Sequence, residues 1–506
     1  MNRLAVNLPK LSRFINRLIV LGAIVFAGLG YYLDSGYYIG AGIFGFFVLI
    51  NFYLIYIQKD TAVLRNFGLF GQMRYILMSI GPELRQYLYA SDTEEKPFNR
   101  AEREEVYQKA QGKDSTSSFG SLDNFDSSEV KIRHSFYAVD KDKVKPFSVT
   151  FGEERGIKNT YTITKPVIIS AMSFGALGEH AVRALSRGAK RAGIPMNTGE
   201  GGYPKYHLLE GADLIWQMGT AKFGARNDDG SLNEAKLKKI ASEKNVKMIE
   251  IKFSQGAKPG KGGLLPAEKI TKEIASLRHV SMGKDVVSPP HHKECVDAKS
   301  TVAFIGRVQK LVGKPVGIKF CLGSDSEFRE MVKEMKRQKT FPDYIDVDGA
   351  QGGTGAAPKS YMDDIGVPLF PALHAVQNIL VKEGVRGKLK LLSSGKLINP
   401  GKQMIALSLG ADACYTARGF MLALGCIQAL QCNRNTCPVG ITTHRKELQH
   451  GLDIEDKAKR VVNYVASLEH EFYELLASTG KKTSAELSVS NLYIPDGYPI
   501  DISEHS

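Results

Sequence analysis

At 506 residues, with 43% hydrophobic content and 50 glycines, the chain is long and apolar enough for one large domain with appendages, which excludes a disordered polymer. The formal charge of +14 comes from Lys and Arg dispersed among acids, with no basic stripe interleaved with aromatics. That argues against nucleic acid and for a basic surface facing a membrane or an acidic electron carrier. Six cysteines in so long a chain do not make a disulfide scaffold, and thiols clustered as metal ligands need a reducing compartment, which points to the cytosolic side.

The first element is an apolar run over 18–33, followed after Asp34, Ser35 and Gly36 by a second run over 37–57 interrupted only by Asn51. The second is long enough to span a bilayer, and the first becomes so when Phe14 and Ile15 are counted. A signal peptide is disfavoured, because no small-residue cleavage site is evident and another apolar run follows at once. Arg3, Lys10, Arg13 and Arg17 precede the pair and Lys59, Arg65 and Arg74 follow it. The positive-inside rule then puts both ends in the cytoplasm. The expectation is a transmembrane helical hairpin over 1–60, anchoring the chain in the cell membrane with its catalytic domain facing the cytoplasm.

Residues 61–164 read as a helical and irregular connector, with a polar, Ser- and Asp-rich interval at about 113–128. From 165 onward β-branched runs alternate with helical patterns. Candidate strands lie at 166–170, 194–198, 214–218, 247–253, 315–320, 344–347, 389–393 and 413–417. Eight such units predict an α/β fold, a closed (β/α)8 TIM barrel over 165–480, with an open doubly wound sheet as the alternative. A charged amphipathic stretch at about 453–480 predicts a helix packed on the barrel exterior, and 481–506 a C-terminal arm.

In such a barrel the chemistry sits at the carboxyl ends of the strands. Strand one runs into Ala171, Met172 and Ser173, small enough for a flat ring to approach the backbone; strand two runs into Glu200; strand three ends near Gln217. Strand four delivers Lys252, Gln255 and Lys258, strand five ends at Lys319, and strand six opens a glycine-rich loop with Gly352 and Gly353. The loops after strands seven and eight, with Gly395 and with Ala417 and Arg418, lie where such barrels bind phosphate. Lys319 is suited to stabilise negative charge on a reduced ring, with a buried structural lysine as the alternative. After strand eight, Cys426, Cys432 and Cys437 fall within one loop-like run. Their spacing admits an inorganic centre, zinc, or merely buried thiols. No G-x-G-x-x-G or P-loop occurs in a convincing context, so hydride from a nicotinamide would need another protein.

The ordered motifs AMSFGALGEHA, NTGEGG, IKFSQGAKPGKGG, SPPHH, DGAQGGTGAAP and CIQALQCNRNTCPVG resemble the FMN-binding synthase domain of glutamate synthase over roughly 165–475. The resemblance implies a barrel holding FMN beside a 3Fe-4S cluster, which reductively aminates 2-oxoglutarate to glutamate through 2-iminoglutarate. It assigns Cys426, Cys432 and Cys437 as cluster ligands. It places Ala171, Met172, Ser173, Gln217 and Lys319 at the flavin, and Gly352, Gly353, Gly395, Ala417 and Arg418 along its ribityl-phosphate arm. Lys252, Gln255, Lys258 and Glu200 fall at the keto-acid site. Implied partners are 2-oxoglutarate or a related keto acid, ammonia, the membrane, and an electron donor such as ferredoxin or a reductase subunit; nucleic acid is not among them.

Two departures shape the expectation. Asn2 follows Met1 where the family's full-length enzymes have a processed cysteine, so ammonia is expected from elsewhere, and Lys261 replaces the usual acid of its loop, so glutamate or a related amino or keto acid is expected. The resemblance is to the short, membrane-anchored branch of the family. The alternatives are another FMN-barrel chemistry of the isomerase type, and a non-catalytic membrane-bound electron carrier or redox sensor.

Overall fold

The computed structural model describes residues 2–113, 116–121 and 129–500; parts of the Ser- and Asp-rich interval and the end of the C-terminal arm lie outside the described residues. The chain divides into two compact units, Met1–Ala101 and Glu102–Ser506.

The first unit begins with helices α1 (Asn2–Tyr32) and α2 (Tyr37–Phe52), joined by a turn in which the Gly36 N–H donates to Asp34 Oδ1 at 2.7 Å. They form an antiparallel hairpin because glycines on each helix admit rings from the other. A Cβ would stand 2.7 Å from the Phe44 ring at Gly22, 2.9 Å from Tyr38 at Gly30 and 2.5 Å from Phe26 at Gly40. Leu11–Tyr32 and Tyr37–Ile57 are long and apolar enough to cross a membrane, with mean hydropathies of 1.8 and 2.0. The unit continues into α3 (Ala62–Phe67) and α4 (Leu69–Leu84) around Gly68, whose φ is +55°. Two polar groups of the hairpin hold that corner. Ser12 Oγ donates to the Phe67 carbonyl at 2.9 Å, and Asn51 Oδ1 accepts from the Leu69 N–H at 2.8 Å.

The second unit is built on eight parallel strands. They are β1 (Val167–Ile169), β2 (Met196–Asn197), β3 (Leu214–Met218), β4 (Val246–Lys252), β5 (Val316–Phe320), β6 (Tyr344–Asp348), β7 (Lys390–Ser394) and β8 (Ala413–Thr416). They pair in sequence order and close when Cys414 of β8 meets Val167 of β1, the (β/α)8 barrel expected. All eight expected strands are present. The second is shorter than 194–198 because Pro195 has no N–H for the ladder, although its carbonyl still accepts from Ile169 at 3.1 Å. β3, β5 and β6 are buried along their whole lengths, as parallel strands covered on both faces must be.

Helix Ile454–Ser478 lies on the barrel exterior with Val461, Tyr464, Leu468 and Phe472 buried. It packs on helix Glu179–Ala192 so closely that a Cβ at Gly188 would be 2.5 Å from Val461 Cβ. Between β4 and β5 the chain makes a long excursion with a two-stranded hairpin, Leu264–Leu265 against Val286–Val287, and helix Lys272–Arg278. This excursion carries side chains back over the strand ends.

Candidate active site

Charged residues in otherwise apolar strands converge at one end of the barrel. On β4, Glu250 and Lys252 are two apart and so share a face. Glu250 is fully buried in the barrel interior and accepts from Gln217 Nε2 at 2.7 Å, Asn197 Nδ2 at 2.8 Å, and the Tyr415 and Tyr344 hydroxyls at 3.1 and 3.3 Å. Tyr344 reaches it across Gly317, where any Cβ would lie 2.2 Å from the ring. Four donors make this buried carboxylate tolerable.

One layer toward the mouth, Lys319 donates to Asp346 Oδ2 at 2.7 Å and Ser394 Oγ at 3.1 Å, and lies 3.8 Å from Asp348 Oδ2. Its Nζ is 5.7 Å from the centre of the Tyr415 ring. Burial opposes the charge on Lys319, but the carboxylates of Asp346, Asp348 and Glu250 outweigh it and leave the pKa above the ordinary lysine value. Burial raises Asp346, and Lys319 only partly offsets that rise. Ser394 Oγ also donates to Asp348 Oδ1 at 2.7 Å, and Asp348 Oδ2 accepts from the Gly256 N–H at 2.8 Å, tying the loops after β4, β6 and β7 together.

The mouth itself holds a second ionic cluster. Lys252 Nζ donates to Glu200 Oε1 at 2.8 Å and Gln255 Oε1 at 2.6 Å, so the structure brings three of the expected residues into contact. Glycines leave the space: a Cβ at Gly219 would stand 1.9 Å from Glu200 Oε2, and one at Gly263 2.4 Å from Oε1. Lys258 is in the same field but donates to the Ala356 carbonyl at 2.8 Å. Burial, then Lys252, lowers its pKa to about 8. Burial alone would raise Glu200; Lys252, then Lys258 and Arg278, hold it below the usual carboxylate range.

Arg278, from the excursion after β4, went unnoticed in the sequence because one arginine ending a short helix carries no pattern. It donates to the Phe174 carbonyl at 3.1 Å and Ser173 Oγ at 3.4 Å, and burial lowers its pKa to about 10. Glu200 Oε2 and Arg278 Nε are both buried without a hydrogen-bond partner within the protein, one an acceptor and the other a donor. Glu250, Asp346 and Tyr415 were also missed, although a lone acid inside an apolar strand, as in MIEIKF, was the available signal.

The remaining expected residues line the same end. Met172 and Ser173 are buried and Ala171 half-buried after β1, and the Met172 carbonyl accepts from buried His207 at 3.0 Å. Gly353 lies against Arg418, where a Cβ would be 2.9 Å from Nε, and Arg418, which follows Ala417, donates to the Gln351 carbonyl. Gly352 follows Asp348 closely, with a Cβ position 2.9 Å from Oδ1, and Gly395 adopts φ +140° after β7. Small residues at the mouth, a cation beside the β7 and β8 loops and an ammonium at the ring end are the donor set an FMN requires.

Cys426, Cys432 and Cys437 are free thiols in one neighbourhood; burial raises the pKa of Cys426 and Cys432, and the nearby Cys437 adds to the rise at both. Lys269 donates to the Cys432 carbonyl at 3.1 Å and also to the Ala176 carbonyl, and Tyr107 donates to the Cys426 carbonyl at 2.6 Å. Three soft ligands are the right number and kind for a three-iron cluster. Among the described residues, however, no three His, Cys, Asp or Glu side chains are gathered tightly enough to hold a metal ion.

The family model for the conserved region in glutamate synthase matches residues 98–482, which span the whole barrel and its site. The chain belongs to the glutamate synthase family. A glutamate synthase large subunit-like protein, YerD of Bacillus subtilis, is 38% identical over 475 residues, covering 85% of this chain and 90% of that one. The archaeal glutamate synthase [NADPH] of Methanocaldococcus jannaschii is 35% identical over 62% of this chain and 59% of its own length. The ferredoxin-dependent glutamate synthase of Cyanidium caldarium is 33% identical over 65% of this chain but only 22% of that one. The glutamate synthase barrel is therefore shared at very different total lengths.

Proposed function

We propose that the chain is a membrane-anchored FMN and iron–sulfur oxidoreductase that reductively aminates 2-oxoglutarate, or a related keto acid, to the amino acid. The observation that carries this reading is the cluster of Lys252, Lys258 and Arg278 around Glu200, with a buried carboxylate oxygen and a buried guanidinium N–H still available. Cations of this kind hold a carboxylate substrate. Glu200 Oε2 is an acceptor for the N–H groups of ammonia or of the imine, and Lys252 keeps it charged.

In balance, keto acid, ammonia, two electrons and two protons give amino acid and water. Condensation of ammonia on the carbonyl carbon releases the water, and a hydride equivalent reduces the resulting C=N bond. FMN, when bound, supplies that hydride. Ala171, Met172, Ser173, Gln217 and Lys319 would hold its ring, and Gly352, Gly353, Gly395, Ala417 and Arg418 its phosphate arm. Lys319 would place positive charge near the bound ring, and the excursion after β4 would help keep water from the mouth.

Cys426, Cys432 and Cys437 are proposed as the 3Fe-4S ligands, receiving electrons from a ferredoxin or a reductase subunit. The names of the relatives, one ferredoxin-dependent and several marked for NADPH, support a separate donor. The two apolar helices and the cations on either side of them support a membrane anchor with the barrel in the cytoplasm.

The test is anaerobic purification with flavin, iron and sulfide analysis, then a screen of keto acids with ammonia against reduced ferredoxin or a reduced dye. FMN, about three irons per chain and keto-acid-dependent oxidation of the donor are expected. Protein that stays colourless after anaerobic reconstitution overturns the reading.

A further inference from the structure

Helix α4 presents an apolar face that the rest of its own unit leaves uncovered. Met73, Ile76, Leu77, Ile80 and Leu84 are 37–57% exposed. At 100° per residue they fall on one stripe, while Gly71, Tyr75 and Met78, the last 60% exposed, fall on the other side. Gly71, the buried residue of the helix, faces inward, where a Cβ would be 3.1 Å from the Val63 carbonyl. The apolar stripe of this helix therefore lies on the outside of its unit. With the π-helical turn Arg85–Tyr89 the helical segment continues past Leu84, but Arg74, Glu83 and Arg85 interrupt it, and it is not among the described segments apolar enough to cross a membrane.

Its position is fixed by the corner at Gly68. Ser12 and Asn51, which hold that corner, lie near the two free ends of the hairpin, Ser12 at the start of Leu11–Tyr32 and Asn51 in the last turns of Tyr37–Ile57. α4 therefore leaves the hairpin at the level where the spans end. Lys59, Arg65, Arg74 and Arg85 surround it against Asp60 and Glu83, an excess of cations suited to an anionic leaflet. Beyond its C-terminus Tyr87, Leu88 and Tyr89 are 57%, 68% and 79% exposed, and tyrosine is an amphipathic residue enriched at membrane–water boundaries.

We infer that α4 lies in the plane of the membrane surface, with the Met73–Ile76–Leu77–Ile80–Leu84 face seated in the acyl boundary of the cytoplasmic leaflet. The inference rests on the reading of α1 and α2 as a membrane hairpin, and it adds a third membrane-contacting element that anchors the chain flat rather than by a hairpin alone.

The chain's one tryptophan, Trp216, is fully buried in the barrel, so an introduced indole reports alone against the parent. Full-length Ile76→Trp and Ile80→Trp proteins are reconstituted in phosphatidylcholine–phosphatidylglycerol vesicles carrying brominated acyl chains, with Val25→Trp in the hairpin and Met78→Trp on the other side of α4 as references. The expected result is blue-shifted emission, largely quenched by bromines placed near the headgroups, at both isoleucine positions and not at Met78→Trp. Quenching at Val25→Trp with none at Ile76→Trp or Ile80→Trp overturns the inference while leaving the hairpin reading intact. No quenching at any position overturns both.

Discussion

Three side chains define what the site asks of single residues. Glu250 has four buried donors on its carboxylate, so Glu250→Ala removes the acceptor they share and should cost on the order of 3 kcal/mol or more in a denaturant titration. Lys252 is the charge that Glu200 relies on. Lys252→Ala should raise the KM for the keto acid roughly 10- to 100-fold, the worth of one hydrogen bond to a charged group, while leaving flavin content unchanged. Full turnover in that variant would favour the electron-carrier alternative. Lys258, with its pKa lowered to about 8 from 10.5, is charged below about 8 and neutral above it. Keto-acid KM should therefore rise as pH passes upward through about 8, and Lys258→Arg should flatten the profile. The same sign governs folding: the unfolded chain keeps this proton up to the ordinary value, so the charged lysine costs stability below about 8, and the cost fades as pH rises between the two values. The contact of Lys252 with Gln255 and Glu200 was legible because all three follow strand ends in motifs that resemble a known barrel. Arg278 was not, because its place depends on how the 63-residue excursion between β4 and β5 folds back, which no local periodicity records.

Among the elements, the eight barrel strands were the most legible part, since parallel strands buried on both faces read as short continuous apolar runs between helical patterns. Their ends were less so, as at Pro195. The exterior helix Ile454–Ser478 was also legible from its amphipathic pattern, but its closeness to Glu179–Ala192 was not. Gly188→Leu would drive a side chain into Val461 and should destabilise the barrel by about 1–3 kcal/mol, read as a lower denaturation midpoint with an unchanged slope. α4 illustrates the opposite case: its residues looked like an ordinary connector helix until burial revealed which side was inward.

For the whole molecule, the matched region begins at residue 98, and every side chain of the candidate site lies in Glu102–Ser506. Removal of residues 1–90 should therefore move the protein from the membrane fraction to the soluble fraction while it retains flavin, a result read by ultracentrifugation and absorbance. The net charge of +14 predicts that reduction by an acidic donor slows as salt is raised, because steering is screened within about 10 Å at 0.1 M.

The pairing of Cys414 with Val167 joins the two ends of the barrel sequence. During synthesis at roughly 5–20 residues per second, β1 must wait some tens of seconds for its neighbour β8. The hairpin leaves the ribosome long before that. The barrel thus matures after the hairpin is made, with two raw sheet edges exposed until the last strand arrives. Renaturation from denaturant lacks that vectorial order and must close the longest loop from a free coil, so recovery should be slower and less complete than biosynthesis.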